Sequence, residues 1–324
     1  MENTKRLDYI DYTKGFGILL VILGHIYDTS NPIKIWLYSF HMPLFFIISG
    51  FFAKNIKFKV LFKKKFKSLI IPYISFGIIT MGLMIVTNSG LNGEFKEYVY
   101  FFITGVGRDA LWFLPCLFLI EVIFNIIIKI KNNKYKIFIV FILFLIGLCG
   151  AHFIKNMILT TLYRAFVGLG FYSIGNYMYT KLKTTNISTI ILVLLLIGSS
   201  ILAIYNGCVD LWGLNFGNKF IYVFCSIVNS FCIIIIFKKI FDNKEIESLR
   251  FFGRNTLIIM STQQLIINYI NKFTGVDYYN TLYGIVTFLV VILIEIPIIY
   301  VIKNYLSFMI GKFPKKKNAQ TITG

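Results

Sequence analysis

The residues of this chain best suited to chemistry are two histidines and the lysines that accompany them. Lys14 and His25 lie eleven residues apart in one apolar run. That spacing is close to three helical turns, so both project from one face, about 16 Å apart along the axis. An ionisable side chain inside a membrane span is costly to hold, which marks it as a functional candidate. A cation at the mouth of a span with an imidazole deeper along the same face suits a donor that reaches in with a reactive tip. His41 opens the next apolar run in Ser39-Phe40-His41-Met42-Pro43-Leu44-Phe45-Phe46. Because the polar link from Thr29 to Lys34 is short, His25 and His41 are placed to meet in one cavity. An imidazole changes charge near neutral pH and is suited there to act as a general base. The structural alternatives are that Lys14 reaches lipid headgroups and that the histidines hydrogen-bond neighbouring helices.

A second constellation is Lys63-Lys64-Lys65-Phe66-Lys67-Ser68-Leu69-Ile70-Ile71-Pro72-Tyr73, a basic cluster immediately before an apolar run. Either membrane topology and lipid phosphates account for it, or Lys63, Lys64 and Lys67 cradle the phosphates of a nucleotide-bearing donor at the N-terminus of the following helix. Further groups for holding an acceptor or orienting the histidines are Asp11, Glu121, Trp112 and Arg164. Glu121 and Arg164 carry opposite charge at comparable depth, which predicts a structural ion pair unless one of them orients the acceptor. Trp112, beside Phe113, is either an aromatic-belt anchor or a platform on which a sugar stacks. Glu295, just before Pro297, is one more carboxyl in an apolar run.

The elements that must position these groups follow from composition. With 57% hydrophobic and only 15% charged residues, this chain of 324 residues has too little charge to cover a soluble core. It has ample length to thread a bilayer at about 20 residues per crossing. Apolar runs occur at 14–29, 35–53, 68–87, 111–129, 136–154, 160–179, 187–205, 218–237, 255–271 and 281–303. They are too long and too continuously apolar for barrel strands. The expected fold class is therefore all-α: a polytopic integral membrane protein of about ten transmembrane helices, forming a single membrane-embedded domain over 1–324 with a basic tail from about 312.

The net charge of +19 invites a nucleic-acid partner, but its distribution argues for topology. If the N-terminus is cytoplasmic, 26 of the 33 Lys and Arg fall in cytoplasmic segments. Both termini are then cytoplasmic by the positive-inside rule, no nucleic acid is expected, and the setting is the plasma membrane. The opening charges Glu2, Lys5, Arg6, Asp8 and Asp11, with no small-residue cleavage site after the first run, predict a retained helix. Five cysteines without a CxxC pair give neither a disulfide framework nor a zinc site, and no metal is expected. The segment from Asn88 to Ala110 includes an amphipathic stretch, 95–103, suited to the interface.

Arg6, Asp11-Tyr12-Thr13-Lys14-Gly15, Val21-Ile22-Leu23-Gly24-His25, Phe40-His41-Met42-Pro43-Leu44-Phe45-Phe46 and Ser49-Gly50-Phe51 together resemble the acyltransferase-3 family of membrane-bound acyltransferases. Within it, the pattern is closest to the fucose 4-O-acetyltransferase-like branch. Looser matches follow in order at Leu111-Trp112-Phe113-Leu114-Pro115, Phe171-Tyr172-Ser173-Ile174-Gly175-Asn176-Tyr177 and Phe252-Gly253-Arg254-Asn255-Thr256-Leu257. The resemblance implies an acyl-CoA-dependent O-acyltransferase, with acetyl-CoA or another acyl-CoA as donor and a glycan or lipid-linked sugar as acceptor, working among membrane lipids. It makes Lys14 and His25 the basic-ten-His motif, with His25 as catalytic base. The family's paired arginines fall on Lys64 and Lys67, a departure because lysine cannot form a bidentate fork to phosphate. Lysine outnumbers arginine 28 to 5 here, so compositional drift accounts for the exchange. A second departure is Ser261-Thr262-Gln263-Gln264, where many relatives carry a His near Gln263.

A sugar hydroxyl is a poor nucleophile at neutral pH, and an adjacent base that takes its proton as it attacks a thioester is an economical solution. An acyl-histidine intermediate is the two-step alternative. The rivals from other classes are a glycan or small-molecule permease or flippase, for which basic loops and buried charges serve equally well, and a sensor domain that keeps the scaffold without the chemistry.

Overall fold

The computed structural model describes residues 8–87, 94–150, 156–241, 244–275 and 281–313. Arg6, Lys155 and the basic tail from Pro314 fall outside these ranges. Among the described residues the chain is helical, with one isolated bridge between Asp210 and Asn215 and no sheet. The order is α1 (Asp8–Ile26), α2 (Pro32–Tyr38), α3 (His41–Phe51), then α4 (Phe58–Lys65), which passes through a π turn at Phe66–Ile70 into α5 (Ile71–Val86). The short α6 (Glu94–Ile103) precedes a 3-10 turn at Asp109–Trp112 and α7 (Phe113–Ile127). Next come α8 (Asn133–Gly150), α9 (Met157–Thr184), α10 (Thr189–Asn206) and α11 (Lys219–Phe241). The chain closes with α12 (Glu247–Arg254), α13 (Thr256–Thr274) and α14 (Thr281–Asn304).

Each of the ten apolar runs is helical over most of its described part. Among the described residues, seven helical stretches are long and apolar enough to cross a membrane. The runs that fall short of that measure correspond to α1, α9 and α13, which carry polar side chains such as Asp11 and Lys14, Arg164, and Gln263 and Gln264. By contrast α8, α10 and α14 turn apolar residues outward, among them Phe138, Phe141, Leu194, Ile201, Leu289 and Leu293. Surfaces of that kind are not left to water, and they make this an all-α polytopic membrane protein.

At the centre stands α1, in contact with α2, α3, α11, α12, α13 and α14. Two glycine crossings set how closely the helices approach. A Cβ on Gly15 would strike the Leu249 carbonyl of α12, and one on Gly253 the Asp11 carbonyl of α1. The same reciprocity joins Gly50 of α3 to the Tyr172 carbonyl and Gly175 of α9 to that of Ile47. Without a hydrophobic force between helices in lipid, such backbone-to-backbone packing supplies the association.

Two expectations are corrected. The run 35–53 is not one helix: it breaks at Ser39 and Phe40 between α2 and α3. At the break the amides of Ser39 and Phe40 still bond Trp36 O and Leu37 O (3.2 Å each), and side chains add further bonds. Ser39 Oγ donates to Trp36 O (2.6 Å), His41 Nδ1 bonds Leu37 O (2.8 Å), and Ser226 Oγ donates to Ser39 O (2.6 Å). Nor do the lysines of 63–67 precede a helix N-terminus. The helical stretch of the third apolar run begins with α4 at Phe58, ten residues before the expected start, because Phe58, Phe62 and Phe66 form an aromatic ladder along it, with centroids 6.0 and 6.1 Å apart. Pro72 has no N–H to return to the preceding turn, and the ladder widens there into the π turn.

Candidate active site

The end of the bundle away from the start of α1 holds a cavity of about 440 Å³. His25 from α1 and His41 from α3 both line it, as the sequence suggested. Tyr38, the last residue of α2, sits between the two rings, with centroids 4.8 Å from His41 and 6.1 Å from His25. His41 is buried and His25 half-buried. The bond to Leu37 O fixes His41, because a carbonyl only accepts: the proton sits on Nδ1, and Nε2 keeps its lone pair. Nδ1 of His25 lies 2.7 Å from the carboxamide of Gln263 on α13, a residue with no exposed surface. In this orientation Gln263 Nε2 donates to Nδ1 and its Oε1 is left unpartnered; with the carboxamide turned over, Oε1 accepts from Nδ1–H and the other ring nitrogen is free to act as a base, so Gln263 sets which His25 nitrogen carries the proton.

The opposite wall is aromatic. Trp112 and Trp212 line the cavity, and Arg164 of α9 braces both from behind. Its guanidinium lies 5.7 Å from the Trp112 ring and 5.0 Å from that of Trp212. Nε donates to Trp212 O (2.6 Å) and Nη1 to Val106 O (2.8 Å). The ring nitrogen of Trp212 donates to Gly107 O (3.1 Å), and Gly107, at φ +65°, has no room for a Cβ against the Trp112 backbone. Asp210 holds the loop by accepting from the amides of Trp212 and Gly213, each at 2.9 Å. Asp109, in the left-handed region at φ 53°, turns the chain into α7 beside the cavity. Lys34 also lines it, its Nζ donating to Tyr27 O (2.8 Å).

The expected ion pair between Glu121 and Arg164 does not form. They occupy opposite ends: Arg164 is tied to the two tryptophans, whereas Glu121 binds Lys65 (2.6 Å) on the flank of a separate cavity of about 310 Å³. Equal depth along two spans says nothing about which end a side chain turns to. Lys64 lines this second cavity along with Tyr172 and Asn125. Lys63 is exposed, and Lys67 lies 5.5 Å from the Phe313 ring. The three lysines proposed as one cradle therefore point to different surroundings.

Lys14 does not line the histidine cavity. Its Nζ is 3.2 Å from Asp11 Oδ1, and Arg254 of α12 donates to Asp11 Oδ2 at 3.5 Å. Asp11 is buried beneath these two cations, away from the acceptor position suggested for it. This arrangement joins the first and last motifs of the sequence across the Gly15–Gly253 crossing. Glu295 does not line the histidine cavity either; it accepts from Thr262 Oγ1 (2.7 Å).

Sequence reasoning did not single out Tyr38, Asp210 or Trp212. Tyr38 carries no motif of its own, and Asp210 and Trp212 reach the site through a loop whose position depends on α10 and α11. Among the described residues no group of three or more His, Cys, Asp or Glu could hold a metal ion.

Architecture and site define an all-helical membrane protein whose paired imidazoles face an aromatic-walled cavity at one end of the bundle. The acyltransferase-3 family, described as an acyltransferase domain, matches residues 7–302 of the chain. The protein belongs to that family and is a membrane acyltransferase. No curated protein and no solved structure matches it.

Proposed function

We propose that the protein moves an acyl group, acetyl in the simplest case, from acyl-CoA to a hydroxyl of a glycan or its lipid-linked precursor at the plasma membrane. The observation that carries this reading is the meeting of His25 and His41 with Trp112 and Trp212 around one cavity. Tryptophan faces stack on sugar rings, and an imidazole within reach accepts the proton of the attacking hydroxyl. His25 is the general base. Gln263 orients it, and His41 presents a fixed lone pair to the same space. The hydroxyl oxygen bonds to the thioester carbon, the carbon–sulfur bond breaks, and the hydroxyl proton passes through the imidazole to the departing thiolate.

The lysine-rich excess assigns the start of α1 to the cytoplasm and the histidine cavity to the outer side. Lys14, Arg254 and Lys64, on the cytoplasmic side, supply positive charge for the donor's phosphates. The motifs of the first third favour the fucose 4-O-acetyltransferase-like branch, which makes a deoxyhexose hydroxyl the first acceptor to try.

The test is release of free CoA from acetyl-CoA by the purified protein with cell-envelope glycans as acceptors. His25→Ala is expected to lower turnover about 10²–10⁴-fold, the usual worth of a general base. Full turnover in that variant would sink the assignment. Movement of unmodified glycan across vesicles, without CoA release, would establish a permease instead.

A further inference from the structure

Beside the histidine cavity lies a second chamber of about 250 Å³, with Arg108 and Asp109 lining both. The two chambers are consecutive stretches of one cleft, because the same two helices line each in turn. On α13, Met260 and Gln264 face the histidine chamber, and Asn268 and Lys272 face the second one. These four positions recur every fourth residue and form one stripe along the helix. On α6, Glu97 and Phe101 line the first chamber, and Glu94 and Tyr98 the second.

The second chamber offers carboxylate, amide, hydroxyl and ammonium groups from Glu94, Asn268, Thr80, Tyr98 and Lys272. Such a mixture of donors and acceptors matches a polyhydroxylated ligand, and its two cations, Arg108 and Lys272, are matched by the carboxylates of Glu94 and Asp109, without the positive excess that would mark a phosphate site. Around the first chamber two buried polar atoms make no hydrogen bond. One is Gln264 Oε1, and the other is Arg108 Nη1, which approaches Glu97 Oε2 only to 3.8 Å. Buried polar atoms without partners are uncommon, and a donor and an acceptor left open along one cleft are what a ligand's hydroxyl groups would satisfy.

We infer that this cleft binds its acceptor as an oligosaccharide of at least two units: the sugar to be acylated lies against the histidines, and its neighbour occupies the Tyr98–Asn268 chamber. The inference rests on the reading of the histidine cavity as the acceptor site. It makes the second chamber a specificity subsite that selects a chain over a free monosaccharide.

The experiment uses the full chain in detergent with acetyl-CoA and a panel of neutral saccharides: glucose, galactose, mannose, fucose and N-acetylglucosamine, each as monosaccharide and as di- and trisaccharide. Wild type is compared with Asn268→Ala, which removes the amide, and Asn268→Trp, which fills the chamber. Acetyl transfer is followed with tryptophan-fluorescence quenching as a second readout of binding. For the preferred sugar, kcat/KM is expected to be higher for the disaccharide. The disaccharide-to-monosaccharide ratio is expected to fall about tenfold in each variant, the scale of one or two lost hydrogen bonds. A ratio near one in wild type, or one that neither variant changes, overturns the subsite and leaves the acyltransferase reading standing. If no saccharide of any length binds or accepts, the reading of the cavity as a glycan site falls, and the subsite falls with it.

Discussion

At the residue scale, the chemistry depends on a few side chains held by partners far away in sequence. Gln263 holds His25, so Gln263→Leu should lower kcat with little change in KM and shift the pH profile of kcat. Gln263→Glu, whose carboxylate can only accept and so holds the proton on Nδ1, should restore part of the rate, and a Leu variant with wild-type kcat would dismiss the role. Arg164 acts through two carbonyls and two indole faces. Arg164→Lys should weaken acceptor binding because an ammonium cannot reproduce a planar fork beneath the rings, a loss measured as raised acceptor KM. Buried Glu121 and half-buried Lys65 are a different case. Glu121→Gln leaves Lys65 without its counter-ion and should cost about 1–3 kcal/mol in detergent unfolding, because the ammonium keeps access to water, while the double variant Glu121→Leu with Lys65→Met should recover most of that. The histidines and Trp112 were legible in the sequence because an ionisable or amphipathic residue stands out in an apolar run. Gln263 as a partner of His25 was not, because nothing local relates positions 238 residues apart.

At the scale of elements, hydropathy located the ten long apolar helical regions, because the lipid leaves the backbone no other solution, but not the short polar α12. It missed the two places where the ladder changes. The break at Ser39 and Phe40 is hidden by apolar residues on both sides, and backbone amides share its carbonyls with the side chains of Ser39, His41 and Ser226. The π turn was concealed by lysines that read as a loop. Glycine crossings are the most testable feature at this scale. Gly50→Ala and Gly253→Ala each push a methyl group into a backbone carbonyl, and overpacking of that kind typically costs about 1–3 kcal/mol. Both should lower the midpoint of thermal unfolding, whereas Gly82→Ala and Gly198→Ala, which meet nothing within 4 Å, should not. Equal behaviour of the four variants would show that the crossings do not limit stability.

At the scale of the whole molecule, the proposed scheme gives the two ends of α1 separate tasks, and Cys208, which lines the histidine cavity, can report which side is which. In a variant whose other cysteines are replaced, a membrane-impermeant maleimide added to intact cells should label Cys208, and acceptor glycan should protect it. Burial raises this thiol above the ordinary range, so the reactive thiolate is scarcer at neutral pH, and labelling should keep accelerating as pH rises beyond where a free cysteine has levelled off. Labelling only after permeabilisation would reverse the orientation. Irregular backbone at membrane depth, as at the break between α2 and α3, is tolerated where it is enclosed by protein or lines a water-filled space. The cavity beside that break is lined by Lys34, Arg108 and Asp210 as well as the histidines and is roomy enough for water, which there would compete with the sugar for the same acyl carbon. The enzyme should leak, hydrolysing its donor slowly when no acceptor is present. An acceptor that fills the cleft should suppress that leak as well as supply the hydroxyl.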